Sequence, residues 1–148
     1  RVGSVPKTEV LELKKIKASE VIASKLGLGK GEPVVYLYRR RFADNEPIVL
    51  QKTYLSCKKC GFILDCDFTK DSLYKSLART NQTKVVRVQR IVEVDEATNE
   101  DAENLEIAMG KPIQSFTTTG FNVFGEVIEF SLARYRGDRS RFEVSANI

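Results

Sequence analysis

The sequence predicts an α+β fold, with one antiparallel β-sheet of about six strands and several short helices. Two observations support this prediction. Segments of alternating polarity, typical of strands, interchange with short segments of helical periodicity, and the order strand–helix–strand–strand occurs twice. The helix-to-strand junctions of the two units also align at one constant offset. The aligned pairs include Ala23 with Ala102, Leu26 with Leu105, Gly31 with Gly110 and Pro33 with Pro112. We therefore expect a duplicated half-fold with a pseudo-two-fold axis and a cleft where the halves meet.

The first unit opens with a strand and a helix. Alternating polarity predicts a strand over residues 10–16, and apolar residues at helical spacing predict a helix over residues 19–26. Ser19 is a suitable N-cap because its hydroxyl can accept a backbone hydrogen bond. Gly27 ends the helix because glycine readily adopts the left-handed conformation.

A hairpin completes the first unit. Strands are predicted over residues 34–42 and 48–55, joined by a turn at Asp44 and Asn45. Residues 56–82 then form an insertion between the two units.

Within the insertion, residues 72–78 are predicted as a short helix. Thr69 or Asp71 is the expected N-cap, because both side chains can accept a backbone hydrogen bond.

The second unit repeats the first. A strand is predicted over residues 85–94 and a helix over residues 98–105, in which Thr98 and Asp101 approximate a capping box.

The final predicted elements are strands. Residues 113–122 and 126–136 form a second hairpin about Gly125, and residues 142–146 form a last strand. The chain of 148 residues contains no linker rich in proline, glycine or serine, so a single domain over residues 1–148 is expected.

Composition excludes several function classes. The sequence contains no histidine, which removes Ser-His and Cys-His nucleophile pairs and the commonest zinc ligand. No apolar run approaches the ~20 residues of a membrane-spanning helix. Lys plus Arg number 24 and Asp plus Glu number 20, so the net charge is only +4 and the basic residues are spread rather than clustered. That balance is compatible with an anionic small ligand and does not favour a dedicated nucleic-acid binder.

The three cysteines lie within ten residues of one another. Cys57 and Cys60 have the spacing of half a zinc knuckle or of a redox pair, but the only further cysteine is Cys66. A redox pair should open a helix after a strand, whereas Gly61 follows this pair. Three reduced cysteines in a connection are the favoured interpretation, and neither a cofactor nor a metal is expected.

Two arginines on the second predicted strand could bind an anion. Side chains alternate along a strand, so Arg39 and Arg41 share one face with Val35 and Leu37. Two guanidinium groups at this spacing can hold one phosphate or carboxylate, although a solvated strand face would carry the same pattern. Arg40 points to the other face.

Further candidate residues are polar groups on predicted strand or helix starts. Glu129 and Tyr135 share a face of the last hairpin strand and could bind the hydroxyl groups of a sugar-like ligand. Ser72 and Tyr74 lie at the start of a short helix, where backbone N–H groups and a hydroxyl can bind an anion or simply cap the helix. No catalytic grouping emerges from these residues.

Several short sequence runs occur along the chain in the same order as in a known protein family. The runs are Glu32-Pro33-Val34, Arg39-Arg40-Arg41, Asn45-Glu46-Pro47, Tyr54-Leu55, Ser72-Leu73-Tyr74, Gly110-Lys111-Pro112, Glu129-Phe130-Ser131 and Tyr135-Arg136-Gly137-Asp138-Arg139. In this order they resemble the UTRA domain, the C-terminal effector-binding domain of GntR-family regulators of the HutC subfamily. The resemblance extends from about Gly3 to Val144.

The resemblance implies a fold like that of chorismate lyase and a domain that senses a small metabolite. It implies a cytoplasmic homodimer that binds DNA only through an N-terminal winged-helix domain outside this chain, in keeping with a first residue, Arg1, that is not methionine. No membrane partner is implied.

The resemblance also assigns roles to the candidate residues. In relatives that sense sugar phosphates, the phosphate lies near the positions of Arg39, Arg41 and Ser72, and the sugar near those of Glu129 and Tyr135, with Tyr74 in the same wall. Gln51 occupies a position that often carries glutamate in those relatives, which weakens the assignment to one particular amino sugar. The resulting set of expected ligand-binding residues is Arg39, Arg41, Gln51, Ser72, Tyr74, Glu129 and Tyr135.

Two other functions remain open from the sequence. A chorismate lyase-like enzyme acting on a small carboxylate would also use an arginine clamp, and it would differ from a sensor by converting its ligand. A metal or redox module built on Cys57 and Cys60 is the third hypothesis.

Overall fold

The computed structural model describes residues 5–147. Its strands are β1 (Pro6–Lys17), β2 (Pro33–Ala43), β3 (Glu46–Ser56), β4 (Arg87–Glu96), β5 (Pro112–Phe121) and β6 (Val127–Arg136). Its helices are α1 (Glu20–Leu26), α2 (Cys57–Cys60), α3 (Leu73–Leu77) and α4 (Asn99–Leu105). The strands form one antiparallel sheet in the order β1-β2-β3-β6-β5-β4, so the predicted fold class is confirmed.

The strand order also shows the predicted duplication. The units β1-α1-β2-β3 and β4-α4-β5-β6 occupy the two halves of the sheet, and β3 pairs with β6 between them. A pseudo-two-fold axis therefore passes between β3 and β6. The central strands of both units meet there, and side chains from both halves can converge on one face.

Local sequence signals set the ends of most elements. The Ser19 hydroxyl accepts a hydrogen bond from the Ile22 N–H at 3.2 Å, and Gly27 ends α1 with φ of 69°. Thr98 and Asp101 form the predicted capping box of α4. Asp44 and Asn45 both adopt positive φ, as a tight turn that follows the twist of a hairpin requires.

Two predictions, one in the insertion and one at the C-terminus, are wrong, and two short helical segments of the insertion were not predicted. The N-cap of α3 is Ser72 rather than Thr69 or Asp71, because the Ser72 hydroxyl accepts from the Lys75 N–H. The insertion also contains α2 and a 3-10 turn at Gly61–Asp65, which the sequence did not indicate. Residues 142–146 form no strand, since no neighbouring strand pairs with them. Phe142 instead packs on the Phe116 ring, with ring centroids 4.4 Å apart.

The two faces of the sheet are covered differently. Helices α1 and α4 pack on one face, where Phe130 and Leu105 are buried. The insertion covers the other face, and its Ile63 and Leu77 pack there against Leu37 of β2, all three fully buried. The insertion does not reach the far ends of β2 and β6, so a polar cavity remains beside it. Within residues 5–147, no helix has the length and apolar character needed to cross a bilayer.

Candidate ligand-binding site

A cavity of about 300 Å³ lies between the sheet and α3, on the face opposite α1 and α4. It is lined by residues from five strands and from the insertion. All seven residues singled out from the sequence line this one cavity: Arg39, Arg41, Gln51, Ser72, Tyr74, Glu129 and Tyr135. They are brought together because the sheet order places β2, β3 and β6 side by side.

Arg39 is the most unusual residue of the cavity. Only 8% of its surface is exposed, its Nε has no hydrogen-bond partner, and its Nη2 makes one long contact, 3.4 Å, to the Thr53 hydroxyl. Burial and the neighbouring Arg41 lower its pKa to about 10, so the guanidinium is charged at neutral pH. Among residues 5–147 no carboxylate forms an ion pair with it. The Glu129 carboxylate is close enough to favour the charged form of Arg39 but makes no direct contact with it. A buried guanidinium without a direct ion pair is costly, and an anion bound in the cavity would offset that cost.

Arg40 lies on the other face of β2, as the alternation predicted. Its Nη2 donates to Glu9 Oε1 at 2.7 Å, and its Nη1 donates to the Asn104 carbonyl of α4 at 3.2 Å. Arg40 is therefore a structural contact between the sheet and α4, and it does not line the cavity.

A chain of hydroxyl groups and one carboxylate forms the far end of the cavity. Glu129 is only 2% exposed, and its two oxygens accept from the Tyr74 hydroxyl and, at 2.8 Å, from the Ser131 hydroxyl. Ser131 in turn contacts the Thr53 hydroxyl at 2.9 Å. Burial and the nearby Glu129 charge raise the pKa of Tyr74 above its usual value, so Tyr74 stays a hydrogen-bond donor.

The remaining predicted residues lie nearer the arginines. Tyr135 is in the same row of the sheet as Arg41 and lies six residues along β6 from Glu129. Its ring packs against the Phe116 ring, with ring centroids 5.2 Å apart. Glu129 and Tyr135 thus line opposite ends of the cavity, and the phenol beside Glu129 is that of Tyr74. Gln51 pairs across the sheet with Arg39, and Ser72 is exposed at the mouth.

The structure adds residues to the site that the sequence did not indicate. Arg90 of β4 lines the cavity, and its Nε donates to the Thr118 hydroxyl at 3.1 Å. Thr8 of β1 and Asp71 of the insertion also contribute to the wall. With three arginines against Glu129 and Asp71, the cavity carries an excess of positive charge. Alternation alone places Arg90 on one face of β4, but only the sheet order shows which face meets the cavity.

Gly120 of β5 makes room for the Glu129 side chain. A Cβ at position 120 would lie 2.8 Å from Glu129 Cγ. We expect Gly120→Ala to displace the buried carboxylate and to lower the free energy of unfolding by about 1–3 kcal/mol, as overpacking does. Chemical denaturation measures this. The matched control is Gly29→Ala, where the nearest neighbour would be 3.9 Å away. Equal stability of the two variants would contradict the close approach.

The run Tyr135-Arg136-Gly137-Asp138-Arg139 anchors the end of β6. Arg136 contacts Glu46 of the β2–β3 hairpin at 3.0 Å and Asp138 at 2.9 Å, and Arg139 contacts the same Glu46 oxygen at 2.9 Å. A Cβ on Gly137 would lie 2.8 Å from the Pro112 carbonyl oxygen. These contacts fix the strand end that carries Tyr135, so the rest of the run positions a cavity residue from outside the cavity.

A larger crevice of about 760 Å³ lies at the opposite end of the central strands. Of its cations, Arg79 lies 4.5 Å from the Phe62 ring centroid, Lys59 pairs with Glu126 at 3.4 Å, and Lys58 is exposed. None of the seven predicted residues lines it. The crevice therefore lacks the buried, unpaired charge that distinguishes the cavity at Arg39.

The cysteines are free thiols beside the core. Contrary to the sequence argument, Cys57 does open a short helix, α2, directly after β3. Cys60 is fully buried, and desolvation raises its pKa to about 12. A thiol with so high a pKa is a poor nucleophile and a poor metal ligand at neutral pH. Among residues 5–147, no three potential metal-ligating side chains lie together.

Comparisons with known proteins agree with one another. The family model described as the UTRA domain matches residues 1–141. The transcriptional regulator GmuR of Bacillus subtilis is 30% identical over 142 residues, which cover 89% of this chain and 60% of the relative. The transcriptional repressor NagR of the same organism is 26% identical, covering 95% of this chain and 57% of the relative. The chain thus spans less than two thirds of the length of these curated relatives.

Solved structures share the fold. The effector domain of PhnF from Mycobacterium smegmatis superposes with a TM-score of 0.90 at 21% identity, covering 99% of this chain and 90% of that one. The C-terminal domain of the histidine utilization repressor from Pseudomonas syringae gives a TM-score of 0.89 at 19% identity, covering 97% of this chain and all (100%) of that one.

Proposed function

The chain belongs to the UTRA domain family, the effector-binding domains of GntR-family transcriptional regulators, and from this premise we propose that the cavity around Arg39 binds a small anionic effector. The observation that carries the proposal is the buried Arg39 guanidinium, whose Nε has no partner. A bound phosphate or carboxylate would supply the missing acceptor. Arg41 at the mouth and Arg90 on the far wall add to the attraction.

The effector class that fits the cavity is a sugar phosphate or a similar anionic metabolite. Arg39 and Arg41 lie at one end, where they can hold a phosphate and Ser72 can donate to it. Acceptors and donors for hydroxyl groups lie at the other end, where Glu129 and Tyr74 are hydrogen-bonded to each other. Each oxygen of Glu129 keeps a further lone pair for a ligand hydroxyl. Gln51 and Tyr135 complete the wall between mouth and floor.

The relatives are transcriptional regulators, and we propose the same role here rather than catalysis. In the full regulator, the proposed DNA contacts belong to a winged-helix domain outside this chain, and the protein acts in the cytoplasm as a homodimer. Binding of the effector in the UTRA domain would then modulate DNA binding.

A ligand screen by thermal unfolding tests the proposal. We expect hexose 6-phosphates to stabilise the chain, by roughly 2.7 kcal/mol at a concentration a hundred times Kd. The matched controls are the corresponding neutral hexoses and inorganic phosphate. The neutral hexoses should not raise the unfolding temperature, because they leave Arg39 unpaired. After incubation, chromatography should recover the phosphate ester unchanged. Equal shifts with neutral hexoses would overturn the anionic class, and conversion of the ester would favour an enzyme.

A further inference from the structure

A cluster of three aromatic rings lies beside the cavity. The ring centroids are 5.2 Å apart for Phe116 and Tyr135 and 5.0 Å apart for Tyr135 and Phe142. Tyr135 meets both neighbours edge to face, an arrangement that aromatic side chains favour. Of the three residues, only Tyr135 lines the cavity. The two phenylalanine rings can therefore influence a ligand only through Tyr135.

Ring packing, and not a hydrogen bond, holds the Tyr135 side chain. Within residues 5–147 no hydrogen bond joins its hydroxyl to another residue. Tyr74, the other phenol of the cavity, donates to Glu129 and is held by that bond. A side chain without such a bond keeps its rotamer through the surfaces against which it packs. Loss of one of those surfaces would free Tyr135 to adopt other rotamers.

One of the two supporting rings comes from the C-terminal tail, residues 140–147. The tail follows a turn in which the Arg139 N–H donates to the Arg136 carbonyl, and it contains no helix or strand. Among the described residues, no hydrogen bond or ion pair joins the tail to the rest of the domain. Phe142 is 46% exposed, whereas Val144 of the same tail is 90% exposed. The tail therefore contacts the domain at the aromatic cluster.

We propose that Phe142 is a positioning residue of the effector site, whose ring holds Tyr135 in the cavity wall from outside the cavity. Phe116 supports Tyr135 from β5, and Phe142 supports it from the tail. With both rings in place, Tyr135 is ordered before a ligand arrives, so binding does not have to order it. This role rests on the proposed function, which gives Tyr135 a ligand to contact.

Nuclear magnetic resonance of the unliganded domain tests the positioning directly. Wild-type protein should show strong nuclear Overhauser effects between the Tyr135 and Phe116 rings, because their centroids are 5.2 Å apart. In Phe142→Ala these effects should weaken, because Tyr135 then leaves its place beside Phe116 for part of the time. A contact without a positioning role would leave them unchanged, and that result would overturn the proposal.

Two variants of the tail are the matched controls. Phe142→Tyr keeps an aromatic ring at the same position, so it should retain the Overhauser effects between Tyr135 and Phe116. Val144→Ala shortens an exposed side chain of the same tail and should also retain them. Weakening of the effects in Val144→Ala as in Phe142→Ala would contradict a specific role of the Phe142 ring.

A double-mutant cycle in calorimetric titration tests whether Phe142 acts through Tyr135, with glucose 6-phosphate as the probe. Phe142→Ala should lower the affinity about fivefold, the usual effect of having to order one more side chain on binding. In a Tyr135→Ala background the same substitution should have no effect, because no phenol is left to position. Equal losses in both backgrounds would overturn the proposal.

The two measurements separate this inference from the proposed function. The resonance experiment contains no ligand, so its result decides whether Phe142 positions Tyr135 even where glucose 6-phosphate does not bind. Failure of the wild-type protein to bind any hexose 6-phosphate would contradict the proposed effector class alone.

Discussion

Replacing Arg39 by alanine is expected to lower the affinity for a phosphorylated effector about a hundred-fold, equivalent to ~3 kcal/mol, because a desolvated charge pair is lost. The unliganded domain should not be destabilised, since the variant removes a buried charge that has no direct ion pair and only one long hydrogen bond. Calorimetric titration with the effector found by thermal unfolding measures the affinity. Thermal unfolding of the unliganded variant measures stability. If Arg39 were instead a residue that only supports the core, the variant would lose stability and keep its affinity for the effector.

Arg40→Ala is the matched control on the same strand. Its guanidinium contacts Glu9 and the Asn104 carbonyl on the far face, so the variant should reduce stability and leave affinity unchanged. Arg41→Ala should fall between the two in affinity, about ten-fold weaker than wild type, because Arg41 is exposed at the mouth. If Arg40→Ala weakens binding as much as Arg39→Ala, the assignment of the cavity is wrong.

Asp101→Ala is expected to reduce the free energy of unfolding by about 3 kcal/mol. Asp101 is 1% exposed, and its carboxylate accepts from the Thr98 N–H at 2.9 Å within the capping box. The same carboxylate accepts from the Arg134 Nε at 3.0 Å. The variant removes both contacts and leaves the Arg134 guanidinium with Asp95 as its only carboxylate partner among the described residues. Urea denaturation measures the change.

Glu103→Ala on the same helix serves as the control. Glu103 is exposed, so this variant should change the free energy of unfolding by no more than about 0.5 kcal/mol. Similar losses in the two variants would show that helix propensity, and not the Asp101 contacts, stabilises α4.

Features that depend on residues close together in the sequence are predicted correctly. Ser19, Gly27 and the pair Thr98 and Asp101 act through hydrogen bonds within four residues, so their types predict their structure. The strand alternation that separates Arg39 and Arg41 from Arg40 is equally local. The repeated order of elements predicted the duplicated sheet, because each unit presents the same pattern to be buried.

Candidate site residues were predicted by resemblance, but their arrangement was not. Tyr74 contacts Glu129 across 55 residues of sequence, and that contact depends on how the insertion packs against β6. In the sequence, nothing distinguishes Arg90 from any other charged residue on a predicted strand. Its place in the cavity follows from a sheet order that puts β4 at the edge beside β5.

The amino-acid sequence alone is enough to predict the fold class, the element ends set by caps and turns, and the face on which Arg39 lies. The packing of distant segments determines that Arg39 is buried with its Nε unpaired, that residues 142–146 form no strand and that β4 is left exposed. This difference follows from the range of the interactions. Caps, turns and alternation depend on neighbours in sequence, whereas burial, strand pairing and charge balance depend on which distant segments the packed sheet brings together.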